Sequence, residues 1–341
     1  SLAGMALLAA IGASAQTAPS YSAIELPCSN KLFHGNFVWM DHNMDGKMDM
    51  AVKGRDLNDN WTIKAALLRN RGNDFESEDL SAKIELNETW DKVLAPIDYN
   101  NDGYVDLLYA GYGEAKLYKN TKGNSFKVVS NFQIEDMDNE EEALYTGFIA
   151  IADYDNDGYQ DIATFDKERR IVLYHNNNGD GTFAEPLKTE VTQLLAARAV
   201  PAVGDINNDG KIDNMIQCGW SSTDGQTETE YSLTNLYYNN GDNSFTREYL
   251  NDNVNSHESD VNFVDFNHDG ALDYSISGWG PKEPNWFNRV VPNNLTSDLA
   301  MNEAPKFVND ADVQVKEEDS DVIISWGSAT DDTTPAEAIR Y

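Results

Sequence analysis

The sequence predicts an all-β repeat protein, arranged as a β-propeller of four-stranded blades. Three observations carry that expectation. First, a nine-residue acidic motif occurs five times: DHNMDGKMD at Asp41 to Asp49, DYNNDGYVD at Asp98 to Asp106, DYDNDGYQD at Asp153 to Asp161, DINNDGKID at Asp205 to Asp213 and DFNHDGALD at Asp265 to Asp273. Second, successive copies start 57, 55, 52 and 60 residues apart, a near-constant period that chance recurrence would not keep. Third, the residues following the last four copies begin LLYAG, IATF, NMIQCGW and YSISGWG, short β-branched and aromatic runs of strand type.

The elements of each unit follow in a fixed order. A strand precedes the motif: Phe37 to Met40, Val93 to Ile97, Gly147 to Ala152, Ala199 to Gly204 and Val261 to Val264. A second strand leaves it. A third is written KAALLRN, AKLYKN, RIVLYHN and TNLYYNN. A turn rich in Asn and Gly follows (NRGNDF, NTKGNSF, NNNGDGTF, NNGDNSF), residues that accept positive φ. A fourth strand then opens on Phe75, Phe126, Phe183 or Phe245, which are expected in the core. One small sheet cannot bury both of its faces alone. Blades stacked around an axis bury each face against a neighbour, and a linear stack of sheets is the alternative.

The motif has the chemistry of a calcium loop. Ca²⁺ takes six to eight hard oxygen ligands, and oxygen side chains stand at positions 1, 3, 5 and 9 of every copy. They are Asp41, Asn43, Asp45 and Asp49; Asp98, Asn100, Asp102 and Asp106; Asp153, Asp155, Asp157 and Asp161; Asp205, Asn207, Asp209 and Asp213; Asp265, Asn267, Asp269 and Asp273. Gly at position 6 permits a sharp bend. Position 7 is Lys47, Tyr104, Tyr159, Lys211 or Ala271, which share no side-chain chemistry, so the expected ligand there is the backbone carbonyl. About five Ca²⁺ ions are expected. Position 9 has a second reading, a brace that accepts backbone N–H bonds. An EF-hand does not fit: it needs a carboxylate at position 12, where this chain has Val52, Tyr109, Thr164, Ile216 and Ile276. The alternative without metal is a set of Asp-rich Asx-turns.

Over roughly residues 31 to 295 the five loops resemble the FG-GAP or VCBS repeat family, related to the blades of the integrin α-subunit head. The resemblance implies a propeller with Ca²⁺ bound between the first two strands of each blade. It also implies seven blades, so five visible loops are read as a truncated seven-bladed ring, with a smaller ring or degenerate blades as alternatives. The propeller is assigned to 31–303. Residues 304–341 resemble the first strands of a fibronectin type III-like module, with strand-like runs at Val313 to Lys316 and Val322 to Trp326. A β-sandwich of that kind needs about 100 residues, so this segment is read as an incomplete module or linker.

Asp plus Glu number 58 against 25 Lys plus Arg, a formal net charge of −33. That field disfavours nucleic acid and anionic lipid and favours cations. Leu2 to Ile11 is apolar and Ala13-Ser14-Ala15 follows, so 1–15 is read as the remnant of an export signal and 16–30 as a leader. No stretch is long and apolar enough for a transmembrane segment. The expected location is outside the cell, secreted or at a bacterial-type cell surface. Cys28 and Cys218 are read as separate thiols.

The second strand of each blade starts at the acidic loop and ends on the opposite rim. The exits there carry glycine and an aromatic: Tyr112, Trp220 and Trp279, with Gly54-Arg55 and Trp61 in unit one and Lys167 in unit three. Flat rings on a rim suit sugars and peptides. Tyr112, Trp220 and Trp279 are therefore candidate ligand contacts; the alternative is that each ring covers its own blade edge. The five histidines (His34, His42, His175, His257, His268) form no zinc spacing, and no nucleophile motif is present. His257 beside Glu258 is the one acid/base candidate, and a surface loop explains it as well. Glu135 to Glu142 and Ser221 to Glu230 read as solvated loops. The functional expectation is non-catalytic recognition or adhesion toward a glycan or extracellular protein. The alternatives are a polysaccharide lyase or hydrolase on a propeller, or a structural module of a larger surface protein.

Overall fold

The computed structural model describes residues 32–81, 83–86, 93–111, 114–132, 134, 149–165, 171–188, 197–219, 233–250, 257–267, 269–279 and 286–293, with short strands at 306–307, 314–318, 321–325 and 329–330. All of its regular elements are strands. Blade one is β1 (Leu32–Met40), β2 (Asp49–Asp56), β3 (Ile63–Asn70) and β4 (Phe75–Asp79). Blade two is β5 (Val93–Ile97), β6 (Asp106–Gly111), β7 (Glu114–Asn120) and β8 (Phe126–Val128). Blade three is β9 (Ala150–Ala152), β10 (Asp161–Phe165), β11 (Ile171–Tyr174) and β12 (Leu187–Lys188). Blade four is β13 (Ala197–Gly204), β14 (Asp213–Gly219), β15 (Leu233–Asn239) and β16 (Phe245–Leu250). Blade five is β17 (His257–Val264), β18 (Asp273–Trp279) and β19 (Trp286–Val291). Each blade is an antiparallel meander with strands in sequence order.

The protein is a five-bladed β-propeller. The blades adjoin in chain order through their first strands: β1 meets β5, β5 meets β9, β9 meets β13, and β13 meets β17. Among the described strands, the fifth blade makes no comparable contact with the first. A ring of seven has no counterpart among the described residues.

The two-residue period of a strand divides each blade between two cores. Leu107 and Tyr109 of β6 bury against Val38, Met40, Ala51 and Leu67 of blade one. Their neighbours Leu108 and Ala110 turn the other way, against Ile162, Val172 and Tyr174 of blade three. A strand buried on both faces reads as a continuous apolar run, which is why LLYA carries no polar alternation. The expected core role holds for Phe126, which is buried, and for Phe183 and Phe245, which are half-buried against interblade clusters.

Beyond the blades, β20 (Lys306–Phe307) pairs with β23 (Ala329–Thr330), and β21 (Gln314–Glu318) with β22 (Asp321–Ser325). The last two lie within two residues of the expected runs. The export remnant and leader, the acidic run Glu135 to Glu142, the polar stretch Ser221 to Glu230, and Cys28 lie outside the described residues. Cys218 is placed in β14 by its backbone alone.

Candidate metal centre

All five acidic loops lie between the first and second strands of their blades, at one end of the sheets. Each is wound by the same hydrogen bonds. The position 1 carboxylate accepts the backbone N–H of position 5 through Oδ1, at 3.0 Å in Asp41 and 3.1 Å in Asp153. Its Oδ2 accepts the N–H of position 6, at 2.8 Å in both. Position 3 accepts the same position 5 N–H, and position 5 accepts that of position 7. The pattern repeats in loops two, four and five. The glycine at position 6 takes a φ of 81–93° across the five loops. Position 4 is also left-handed: Met44 (58°), Asn101 (54°), Asn156 (59°) and Asn208 (56°). These are Asx-type bonds, and they hold the side chains at positions 1, 3 and 5 together around one point.

Position 9 is a brace. Asp49, Asp106, Asp161, Asp213 and Asp273 are all buried. One oxygen accepts the N–H of an asparagine at the end of the third strand or two residues past it: 2.7 Å from Asn70, 2.6 Å from Asn120, 2.8 Å from Asn176, 2.8 Å from Asn239 and 2.6 Å from Asn293. The other oxygen accepts the N–H of position 2 in four loops. In loop two the second oxygen, Asp106 Oδ2, is buried without a hydrogen-bond partner. Burial, reinforced by the charges of Asp102 and Asp98, pushes the Asp106 carboxyl up to about 7. Asp213 is raised to about 7 by burial against two N–H bonds. Asp153 rises to about 6 through burial and then the charges of Asp161, Asp157 and Asp155. Such groups gain from a nearby cation.

Two clusters hold donor atoms mutually within 4.8 Å: Asp153, Asp155 and Asp157, and Asp155, Asp161 and His175. His175 was not singled out by sequence reasoning; it is distant in sequence and only the sheet brings it in from the end of β11. Its Nδ1 lies 3.1 Å from Asp161 Oδ2 and 3.3 Å from Asp155 Oδ2, and its Nε2 lies 2.9 Å from Asn243 Oδ1 of blade four. Burial alone would lower its pKa, but the bond to Asp161 and the charges of Asp161 and Asp155 prevail and raise it to about 9. Loop three needs this cation most, because position 3 is Asp155. In loops one, four and five the asparagine at position 3 donates an amide N–H into the position 5 carboxylate instead. In loops one, two and four a lysine pairs with the position 5 carboxylate: Lys47 at 3.0 Å from Asp45, Lys119 at 3.0 Å from Asp102, and Lys211 at 2.9 Å from Asp209. Of the other position 7 residues, Tyr159 lies beside Gly179 and Ala271 is buried.

The third-strand asparagines also join the blades. Asn120 Nδ2 donates to the carbonyl of His42, at position 2 of the preceding loop, at 2.8 Å. Asn176 does the same to Tyr99 (2.7 Å), Asn239 to Tyr154 (2.8 Å) and Asn293 to Ile206 (2.8 Å). In return, position 4 reaches forward: Asn101, Asn156 and Asn208 donate to the carbonyls of Gly158, Gly210 and Gly270. The sequence showed Asn120, Asn176 and Asn239 opening the turns after the third strands; their partners on another blade could not be read from it.

Of the residues expected at the exits from the second strands, Tyr112, Trp220 and Lys167 lie outside the described residues. Trp279 ends β18 opposite Trp286, with its side chain outside the described set. Trp61 is described: it is exposed, has a φ of 64°, and its carbonyl accepts Arg55 Nη1 at 2.9 Å. His42 is a buried structural group whose ring packs, tilted by 34°, at 5.2 Å from that of Phe126. His34 and His257-Glu258 are placed by backbone alone, in β1 and β17, and His268 lies outside the described residues.

Residues 98–164 and 153–215 match the family model of the FG-GAP-like repeat. No curated protein matches the chain. Among solved structures, the chain is similar to an Agrocybe aegerita lectin that recognises non-reducing terminal N-acetylglucosamine: 16% identity, 78% of this chain and 82% of that one, TM-score 0.42. It is similar to a PL25 ulvan lyase at 11% identity, over 90% and 83% of the two chains, TM-score 0.37. A GH43_1 enzyme from Xanthomonas citri, complexed with xylotriose, is 9% identical over 73% and 82%, TM-score 0.35. Among the described residues no helix is long and apolar enough to cross a membrane.

Proposed function

We propose that this is a calcium-organised propeller that recognises an extracellular ligand, a glycan or a protein, through the rim opposite its acidic loops. In this reading the FG-GAP-like repeat extends over all five blades in the integrin α manner. Each loop holds one Ca²⁺ through positions 1, 3 and 5 and the position 7 carbonyl, with position 9 as brace and, where an oxygen remains open as in Asp106, as ligand. The donor set is hard oxygen, and the orphaned buried Asp106 Oδ2 is the atom that a cation would satisfy. When bound, Ca²⁺ offsets the clustered negative charge; the loop hydrogen bonds orient the side chains toward it. The domain partition 31–303 and 304–341, with the latter opening a fibronectin type III-like module and the former belonging to a larger ring, is part of the same reading.

Trp61 carries the recognition half. A large ring standing exposed in a left-handed backbone conformation, tied by Arg55, is a strained and costly arrangement for a turn that only connects two strands. In the sequence, Tyr112, Trp220 and Trp279 stand at the exits from the second strands of units two, four and five. The test is an array of glycans and extracellular proteins probed with and without calcium, using the native chain and Trp61→Ala. Calcium-dependent binding that weakens in the variant supports recognition. Unchanged binding by Trp61→Ala removes that site. Calcium-dependent release of oligosaccharide from a polysaccharide panel replaces the recognition reading with glycan cleavage.

A further inference from the structure

Blade three departs from the common pattern of the blades twice, and both departures fall at one place. Position 3 of the acidic loop is Asn43, Asn100, Asn207 or Asn267 in the other four copies, and Asp155 here. The residue just before the clamp asparagine is Arg69, Lys119, Tyr238 or Pro292 in the other four blades, and His175 here. Arg69 and Tyr238 turn to glutamates of their fourth strands, Glu78 and Glu248, each at 2.8 Å. Lys119 does reach its own loop, but an ammonium has no lone pair to give a metal. An imidazole has one. In the fold the two departures meet: His175 Nδ1 lies 3.3 Å from Asp155 Oδ2 and 3.1 Å from Asp161 Oδ2.

These separations suit donors around an ion better than a simple ion pair. A charge-assisted N–H···O bond is ordinarily about 2.7–2.9 Å long, and here a single proton would be divided between two carboxylates at longer range. Ligands placed tetrahedrally at the usual distances from Zn²⁺ stand about 3.3–3.4 Å from one another, close to both separations. The far side of the ring is held as metal-binding histidines are held: Nε2 donates to Asn243 Oδ1 of blade four at 2.9 Å, which leaves Nδ1 to face the carboxylates. Asn243 takes a left-handed φ of 65° in that place. The His175 and Asp161 side chains are 12% and 1% exposed, whereas that of Asp155 is 36% exposed, so the cluster is closed toward the core and open to solvent on the Asp155 side.

We propose that Asp155, Asp161 and His175 form a nitrogen–oxygen site for a transition-type divalent cation, Zn²⁺ foremost, adjoining the oxygen donors Asp153 and Asp157. Asp155 is common to both clusters. Two carboxylate oxygens with an imidazole nitrogen favour Zn²⁺ over Ca²⁺, which takes oxygen ligands. Binding exchanges the Nδ1 proton for the ion and releases that proton to solvent. Through Asn243 the occupied site would also tie blade three to blade four. It does not depend on how the other four loops are filled.

The test is calorimetric titration of Zn²⁺ into the whole chain in saturating Ca²⁺, with diffraction at the zinc absorption edge to place the ion. The native chain is expected to show one tight site, with its anomalous peak between these three residues. His175→Asn and Asp155→Asn should each abolish it. Asp155→Asn only installs the residue that the other four loops carry, so an unchanged melting temperature in Ca²⁺ shows that variant to be folded and its lost binding to be a lost ligand. Asn243→Ala, which frees the ring, should weaken binding about ten- to a hundredfold. A native chain without such a site, a site that survives His175→Asn or Asp155→Asn, or a zinc peak elsewhere overturns the proposal and leaves His175 as an ion-pair partner of the loop. Failure of the calcium reading is separate: melts that coincide in Ca²⁺ and chelator, with His175-dependent Zn²⁺ binding intact, would remove the calcium and keep this site.

Discussion

Asn70 and Asn120 stand at the same place in their blades but have different work. Asn120 holds its own loop at Val105 and the neighbouring blade at His42; Asn70 holds only Met48. Asn120→Ala leaves the buried His42 carbonyl without its donor and should lower unfolding free energy by about 1–3 kcal/mol in urea titration, with a smaller loss for Asn70→Ala. A matching effect in both would refute the cross-blade role. The titrating residues give a second expectation, for the chelated protein. Asp106 and Asp213 have folded pKa values of about 7, above their unfolded value of 3.8, so the fold is favoured when they hold protons and loses that gain as pH rises through 7. His175, raised from 6.5 to about 9, contributes stability that is whole below 6.5 and disappears as pH rises through 9. The two effects share a sign. The melting temperature in chelator should therefore fall from about pH 4 to about pH 9, the aspartates acting up to about 7 and His175 above about 6.5, and His175→Asn should flatten the upper part of that fall. Saturating calcium should remove the aspartate part, since the ion favours the ionised carboxylates. A chelated protein whose melting temperature rises with pH would contradict this assignment of charge.

Among the elements, the turn after the third strand separates local strain from interface packing. Gly72 and Gly123 both have positive φ, 96° and 73°. Gly72→Ala should cost about 1 kcal/mol, the backbone penalty alone. Gly123→Ala adds a collision with the Asn43 backbone and should cost clearly more, measured by thermal melts of the two variants. Much of this element structure was legible in the residues. The acidic loop fixes where the first strand ends and the second begins, and β5 runs over the expected Val93–Ile97. The starts of the first strands were less legible: β1, β13 and β17 begin two to five residues before the expected Phe37, Ala199 and Val261. The physical reason is a bulge in each, between Phe33 and Asn36, Ala197 and Val200, and His257 and Asp260. A bulge inserts a residue and breaks the two-residue alternation by which a strand is recognised. The side chains at positions 1, 3 and 5 of each loop were legible for a different reason: the backbone N–H groups that wind the loop onto them all lie within five residues. His175, Lys119 and the asparagine clamps were not, because their partners are on other strands or other blades.

At the scale of the molecule, the acidic loops share one rim, and the stability of the whole should follow their cation. At a calcium concentration ten times the dissociation constant, one site adds about 1.4 kcal/mol by mass action, and several such sites act on blades that share cores. Chelation should lower the melting temperature by many degrees, with little restored by Mg²⁺, which demands a smaller octahedral site. Asp157→Ala should cost more than Asp45→Ala, because loop three lies between two neighbouring blades and gathers three carboxylates with His175. Coincident melts in calcium and chelator would remove the ion from the architecture. The asparagine clamps carry one more consequence, a mechanical one. Each runs from a blade back to its predecessor, so a load applied to the chain ends meets the interfaces one after another. Among the described residues, blades one and five are each clamped from one side only, blade one by Asn120 on His42 and blade five by Asn293 on Ile206 and Asn208 on Gly270, and these two should tear away before the three between them. Tension would then unzip the molecule in discrete steps, each paying out one repeat of about 55 residues, on the order of 190 Å of extended chain.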